Sequence, residues 1–222
     1  MILLGLDTST SAASACVVRA DGESFEVVPR PERLHGPPAH AADLLPAVTD
    51  AMARAGVGWG DLDAIAVGVG PGTFTGLRIG IATARALASA NDLPLRPVSS
   101  LGALAAGIEA PLRLPLIDAR RGELFGALYE GGTQLWPPFA APPGDVIERL
   151  RQDSFTPLAA GDGSVRFRGM LEEAGIPVAP DDSRAHVVRA LHICRLGAEV
   201  PDEPPEAILP DYLRDPDAKP QQ

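Results

Sequence analysis

The sequence predicts an α/β fold in which one strand-and-turn plan occurs twice, on three observations. An apolar run at 64–69 feeds a glycine-rich turn that opens directly into a small-residue helix. A further short strand follows, which is the order of a parallel strand-helix-strand unit. Ahead of it, three short consecutive strand-like runs are separated by Asp-Thr-Ser-Thr and Asp-Gly turn signals, the mark of an antiparallel meander. Beyond residue 110 a strand, an aspartate, a polar turn and a strand repeat the opening, with Asp118 placed as Asp7 is in the first half.

Taken in order, residues 2–6, 12–19 and 24–28 read as the three strands. The proline-rich stretch 29–40 leads into a helix at about 39–55, where Leu44, Leu45, Val48, Met52 and Ala55 share a face. Pro46 lies inside it, so either the helix starts late or it kinks there. A strand at 63–69, a helix at 75–90, a strand at 93–98 and a helix from Ser99, with Ser99 and Ser100 as N-caps, complete the first half. The second half has a hairpin over 114–129, a proline-rich connection at 136–145, a helix at 145–151 and a strand at 156–160. The turn Gly161-Asp162-Gly163 follows, then helices at 164–174 and 184–198. The tail, 201–222, is proline-rich with a mobile end.

At 222 residues the chain can form one large core or two smaller ones. Its net charge is −10 and its pI near 4.8, and the lone lysine is Lys219. Nucleic-acid binders carry a basic excess or stripe, so tight binding of RNA by this chain alone is not expected. Cys16 and Cys194 give neither a disulfide framework nor a metal-binding spacing, which fits a reducing compartment. The start lacks a basic segment followed by a long apolar one, and no apolar run reaches about 18 residues, so a cytoplasmic protein is expected.

The turn at Gly70, Gly72 and Thr73 offers backbone freedom, unpaired N–H groups and the positive end of a helix dipole, which together suit an anion. It is not a dinucleotide fingerprint, because Thr73 stands where a third glycine would follow Gly68 and Gly70, and no Gly-Lys-Ser/Thr makes a P-loop. In the helix that follows, Gly76, Gly80, Ala84 and Ala88 recur every fourth residue, a ridge that admits another helix closely, with Leu77, Ile81 and Leu87 adding apolar area. Each interior glycine costs about 1 kcal/mol relative to alanine, so packing has to offset it. The ridge serves either a partner or the chain's own sheet.

The stretch 71–80, Pro-Gly-Thr-Phe-Thr-Gly-Leu-Arg-Ile-Gly, resembles the signature of the TsaB (YeaZ) family of tRNA threonylcarbamoyladenosine biosynthesis proteins. The likeness extends over the opening 2–18, the segment His40 to Val48 with its His-x-x-x-Leu-Leu-Pro pattern, 118–125, 161–163 and 209–214. It implies an actin-like fold, of the actin, sugar kinase and Hsp70 type, with an N-terminal domain at 1–109, a C-terminal domain at 110–205 and a tail at 206–222 that packs back on the first. It also implies a non-catalytic relative of the catalytic subunit TsaD, with TsaD and TsaE as partners, tRNA reached only through the complex, and a homodimer when isolated. In that scheme a separate synthase makes threonylcarbamoyl-adenylate from threonine, bicarbonate and ATP, and TsaD transfers the group. No cofactor is required by the chain alone, and ATP or ADP sits at the complex interface.

In kinases and ATPases of this fold a carboxylate at the place of Asp7 lies near Mg²⁺ and the phosphates. The nucleotide or anion residues implied here are Asp7, Thr8, Ser9, Gly70, Gly72, Thr73, Asp118, Gly161 and Gly163. The competing reading is that Asp7 and its hydroxyl neighbours cap a turn, since Asp-Thr-Ser-Thr-Ser has no glycine to let a phosphate approach. Arg120 and Arg121 are either anion contacts or solvated turn residues. A rival function, an ATP-binding kinase or ATPase using Asp7 and Asp118, rests on the first reading. TsaD-like proteins carry a His-x-x-x-His metal site after the equivalent turn; Ser100 and Leu104 occupy those positions, so no metal ligands and no catalytic residues are expected. His35, His40, His186, His192 and Cys194 are read as packing or surface residues. No Gly-x-Ser-x-Gly elbow supports a nucleophile. The family's helix-to-helix interface with TsaD implies a partner face of Leu44, Leu45, Val48, Gly76, Leu77, Gly80, Ile81 and Ala84.

Overall fold

The computed structural model describes residues 1–29, 34, 36 and 38–214; His35, Lys219 and the chain end expected to be mobile lie outside them. Small and apolar residues fill β1 (Leu3–Asp7) and β2 (Ser14–Val18), which are buried on both faces and pair antiparallel with Gly5 opposite Cys16, and β3 (Ser24–Val27) extends the meander. The chain returns through α1 (His40–Ala55) to β4 (Ala64–Gly70), parallel to β1, and then through α2 (Phe74–Ala90) to β5 (Leu95–Ser99). The sheet order is β3-β2-β1-β4-β5. α1 begins ahead of Pro46, which removes the late start. Pro46 and Ala42, whose carbonyl lacks an N–H partner there, both lie on the exposed side where water can serve.

After α3 (Ser100–Ala106) come β6 (Leu112–Arg120), β7 (Glu123–Glu130), β8 (Thr133–Ala141), α4 (Pro143–Gln152) and β9 (Leu158–Ala160). The order β8-β7-β6-β9, with β9 parallel to β6, repeats the wiring of the first half: a meander, a helix, and a strand returning beside the meander's first strand. β8 differs from the proline-rich connection expected over 136–145. It is an edge strand, where Pro137 and Pro138 can be accommodated because one side of the ladder is open. Trp136 is buried opposite Leu128.

Two helices also differ from expectation. The one expected at 164–174 is interrupted at Phe167 into α5 (Asp162–Arg166) and α6 (Arg168–Glu173). The one expected at 184–198 is a 3₁₀ turn at Arg184–His186, an extended link, and α7 (Ala190–Gly197). The cause is tertiary. Ser183 accepts a hydrogen bond from the Ala185 N–H, and the buried His186 ring accepts from the Gly161 N–H at 3.0 Å while its other nitrogen lies 2.9 Å from the Pro180 carbonyl.

Strand alternation separates the layers. Leu4, Leu6, Ile65 and Val67 meet Leu44, Val48, Ile81 and Ala84 of α1 and α2, while Leu3, Cys16 and Ala64 meet Ala190, Leu191 and Cys194 of α7. Leu101 and Leu104 of α3 and Ile193 of α7 also pack on Ile117, Phe125 and Ala127, so α3 and α7 fill the space between the sheets. The far side of the second sheet is covered by α4 and α6 through Val146, Leu150 and Leu171. α7, drawn from the segment 110–205, thus packs on the first sheet. Near the C-terminus, Leu95 and Glu203 exchange backbone bonds of 2.9 and 2.8 Å, and the Asp211 N–H donates to the Val69 carbonyl at 2.7 Å.

Candidate functional site

β1 ends on Asp7, and the turn after it folds onto the start of α2. One Asp7 carboxylate oxygen accepts from the Ser9 N–H at 2.9 Å and the Ser9 hydroxyl at 2.7 Å, and the other accepts from the Ser100 hydroxyl at 2.8 Å. Burial pushes its pKa up, against the lowering effect of those bonds. A Cβ at Gly68 would overlap the same carboxylate. Ser100, read as a helix cap, instead gives its hydroxyl to Asp7; Ser99 is the cap, accepting from the Gly102 N–H at 3.2 Å.

The Thr8 hydroxyl donates to the Gly76 carbonyl at 2.7 Å, and the Thr73 N–H donates to the Ser9 carbonyl at 2.7 Å. A Cβ at Gly76 or Gly80 would overlap Thr8, and one at Gly72 would lie 2.5 Å from the Ser9 carbonyl oxygen. Gly70, at φ 120°, turns toward the Asp211 carbonyl. The hydroxyl turn and the glycine turn, each expected to contact an anion, pack directly on each other. Asp7, Thr8 and Ser9 are buried.

The second half resolves similarly. Asp118 accepts from the Arg120 backbone N–H at 2.9 Å and from the guanidiniums of Arg120 and Arg166 at 3.1 and 2.9 Å. Arg120 also reaches the Ser11 hydroxyl at 3.3 Å, which pins the hairpin to the first turn. The Gly161 N–H is taken by His186, and a Cβ at Gly163 would lie 3.0 Å from the Asp118 nitrogen, so these glycines let α5 close on β6. Beneath them, burial pushes the Asp162 carboxyl up to about 6, while the bond it accepts from the Asp118 N–H at 3.0 Å pulls the other way.

The expected partner face also needs correction. Gly76, Leu77, Gly80, Ile81 and Ala84 of α2 and Leu44 and Val48 of α1 are buried by the chain itself, because the Thr8 turn fills the gap that the glycines leave. Leu45 is the exception at 49 % exposure. The outward faces of these neighbouring helices instead carry Ala42, Leu45 and Thr49 on α1 and Ala82 and Ala86 on α2, all exposed.

An open cleft of about 610 Å³ remains between the start of α2, the hairpin turn at Arg120 and Arg121, and the segment 211–214. Gly72, Thr73 and Asp118 are the sequence-derived anion residues that reach it. Phe74 stacks on Tyr212 with centroids 5.5 Å apart, and the Arg78 guanidinium lies 3.8 Å over the Phe74 ring while donating to the Tyr212 hydroxyl at 3.1 Å. His40 lines the cleft, and neither of its ring nitrogens has a hydrogen-bond partner among the described residues. His40 and Tyr212 belong to two of the family-like segments, at 40–48 and 209–214, and the fold brings these distant parts of the chain together at the cleft.

Ser100 and Leu104, the positions aligned with paired histidines, are respectively bonded to Asp7 and fully buried in the core. Among the described residues no three His, Cys, Asp or Glu side chains stand together as a metal site, and no helix is long and apolar enough to cross a membrane.

The family model for TsaD, tRNA N6-adenosine threonylcarbamoyltransferase, matches residues 32–157. The chain is 30 % identical over 221 residues to the tRNA threonylcarbamoyladenosine biosynthesis protein TsaB of Bacillus subtilis, covering 96 % of this chain and 94 % of that protein. To the TsaB of Escherichia coli it is 31 % identical over 228 residues, covering 96 % and 95 %. An uncharacterised Mycobacterium leprae protein is 35 % identical over 221 residues, and there the match spans 99 % of this chain but 56 % of the longer relative. Among solved structures, an uncharacterised Pseudomonas aeruginosa protein with similarity to peptidase YeaZ superposes with a TM-score of 0.76 at 33 % identity, covering 96 % of this chain and 99 % of the other. A structure of YeaZ from Pseudomonas aeruginosa gives 0.73 at 30 % identity, with the same coverage.

Proposed function

The chain belongs to the TsaB (YeaZ) family, and from that membership we propose that it is an accessory, non-catalytic subunit in the formation of N6-threonylcarbamoyladenosine on tRNA. The enclosure of Asp7 carries the non-catalytic part of this reading. Its two oxygens are bonded to Ser9 and Ser100, and the turn that would face a phosphate is packed against Gly72, Gly76 and Gly80. An ATP-binding kinase or ATPase would need Asp7 and Asp118 open to Mg-ATP. Here the first is enclosed and the second is held by two guanidiniums.

In this proposal TsaD docks on the outer face of α1 and α2, where alanines let a partner helix approach closely, and TsaE and tRNA are met through the assembled complex. The same face would join two copies of the isolated chain. ATP or ADP would lie at the junction with TsaD, and the cytoplasm is the proposed location. The domain division proposed is 1–109 and 110–205, with the tail at 206–222 returning to the first. The test is reconstitution with TsaD, TsaE, tRNA and threonylcarbamoyl-adenylate. Multiple-turnover transfer should require this chain, and full activity without it would defeat the proposal.

A further inference from the structure

We propose that the C-terminal segment 209–214 is a latch that ties the start of α2 to the hairpin turn between β6 and β7, and so sets how far the cleft between the two halves opens. Ahead of this segment the chain is held in the core. Leu95 and Glu203 exchange backbone bonds, and Ile208 is buried in the cluster under the first sheet. From Leu209, which is 69 % exposed, to Arg214 every residue is at least partly exposed. A surface segment that leaves a buried anchor in this way can lift off without unfolding the core.

Four consecutive residues of the segment grip different elements. The Asp211 N–H donates to the Val69 carbonyl at 2.7 Å, at the end of β4. Gly70, at φ 120°, makes room for this approach, since a Cβ there would lie 2.8 Å from the Asp211 carbonyl oxygen. Tyr212 stacks on Phe74 and its hydroxyl accepts from Arg78 at 3.1 Å, which fixes the segment to α2. Leu213 packs on the cluster between the sheets that holds Ala119 and Phe125. Arg214 donates to the Glu123 carboxylate at 2.7 Å and to the Ala119 carbonyl at 3.3 Å, which fixes the segment to the hairpin. Residues 211–214 are thus one wall of the cleft and join its other two, the start of α2 and the hairpin. A further tie between the halves here, from Arg120 to the Ser11 hydroxyl, is long at 3.3 Å.

Tyr212 and Arg214 stand two residues apart, so each grip holds the backbone where the other can form. When one is lost, the other has to order a freer chain by itself. The start of α2 and the hairpin are therefore coupled through the segment, and a partner or ligand that draws Tyr212 off Phe74 would loosen the hairpin as well. None of this depends on the accessory role proposed above.

The test is native-state hydrogen exchange of the full chain, read at the amides of Leu77 in the first turn of α2, Asp211 in the segment and Arg120 in the hairpin, with Ile65 as the core reference. In the wild type Asp211 should exchange through an opening that leaves Ile65 protected. Tyr212→Ala should speed exchange at Arg120 by about fivefold or more, and Arg214→Ala should do the same at Leu77, each at the end opposite the substitution, with Ile65 unchanged. Spin labels at Thr75→Cys and Arg121→Cys, both exposed on facing walls while Cys16 and Cys194 are buried, should report a longer separation when either substitution is added. Arg214→Ala decides the matter even where Tyr212→Ala fails to fold. The proposal is overturned by exchange that changes only at the end where the substitution is made, by exchange at Ile65 that rises as much as at the cleft, or by a label separation that the substitutions leave unchanged.

Discussion

A leucine at Gly80 has to displace Thr8, whose hydroxyl is already bonded to the Gly76 carbonyl at 2.7 Å. Removing an interior helical glycine gains about 1 kcal/mol in propensity, whereas overfilling a packed site costs about 1–3 kcal/mol and sometimes more. The second effect wins. Gly80→Leu should lower the melting temperature of the isolated chain by several degrees, at about 2–4 °C per kcal/mol for this length, and an unchanged melt would show that Thr8 yields freely. Asp162 gives a test with a pH signature. Burial raises its folded pKa to about 6, above the ordinary carboxyl value of 3.8, so between those values the native state holds more protons than the unfolded one. Its contribution is therefore fully present at low pH and lost as pH rises through about 6, a deficit of roughly 2–3 kcal/mol at neutrality. Asp162→Asn removes that deficit, so the variant's melting temperature should gain on the wild type as pH rises from about 4 to about 7. His192, held down to about 4 by burial, destabilises in the opposite direction on acidification, but it is common to both proteins and cancels in the difference. A gap that narrows with rising pH would contradict the assignment.

At the scale of elements, α2 shows why a small-residue ridge does not identify its own partner. Glycine every fourth residue says that something comes close, and here the visitor is the turn after β1. The side of α2 turned to solvent carries Ala82 and Ala86, and neighbouring α1 exposes Leu45 and Thr49. Ala82→Arg should leave the melt of the isolated chain within about 0.5 kcal/mol of the parent, as for an ordinary surface change, while abolishing co-elution with TsaD on size exclusion. Retained co-elution would place the interface elsewhere. β8 makes a complementary point. Its prolines hid it from strand patterning, yet the first half's third strand, β3, predicts a third strand in a repeated second half. Asp7 and Asp118 mark the duplication in the sequence, and β8 is the second half's counterpart of β3.

For the whole molecule, the net charge of −10 sets the expected relation to tRNA. Affinity for nucleic acid comes largely from counterions released when basic groups meet phosphates, and an acidic chain opposes that release. The isolated chain should therefore bind tRNA with a dissociation constant weaker than about micromolar near physiological salt. A filter-binding constant tighter than that would mean that a local basic surface outweighs the net charge.

The sequence by itself determined the kinds and order of most elements, the repeat of the meander, the family, and the small-residue character of α2, because strand alternation, turn residues and motifs are local and survive in one dimension. Where Asp7 points, what fills the groove over Gly76 and Gly80, and which segments wall the cleft were decided only in three dimensions. Ser100 meets Asp7 and Tyr212 meets Phe74 across long stretches of chain. Whether a glycine faces a ligand, a partner or its own chain depends on which distant segment arrives to fill the space beside it, and no local pattern encodes that arrival.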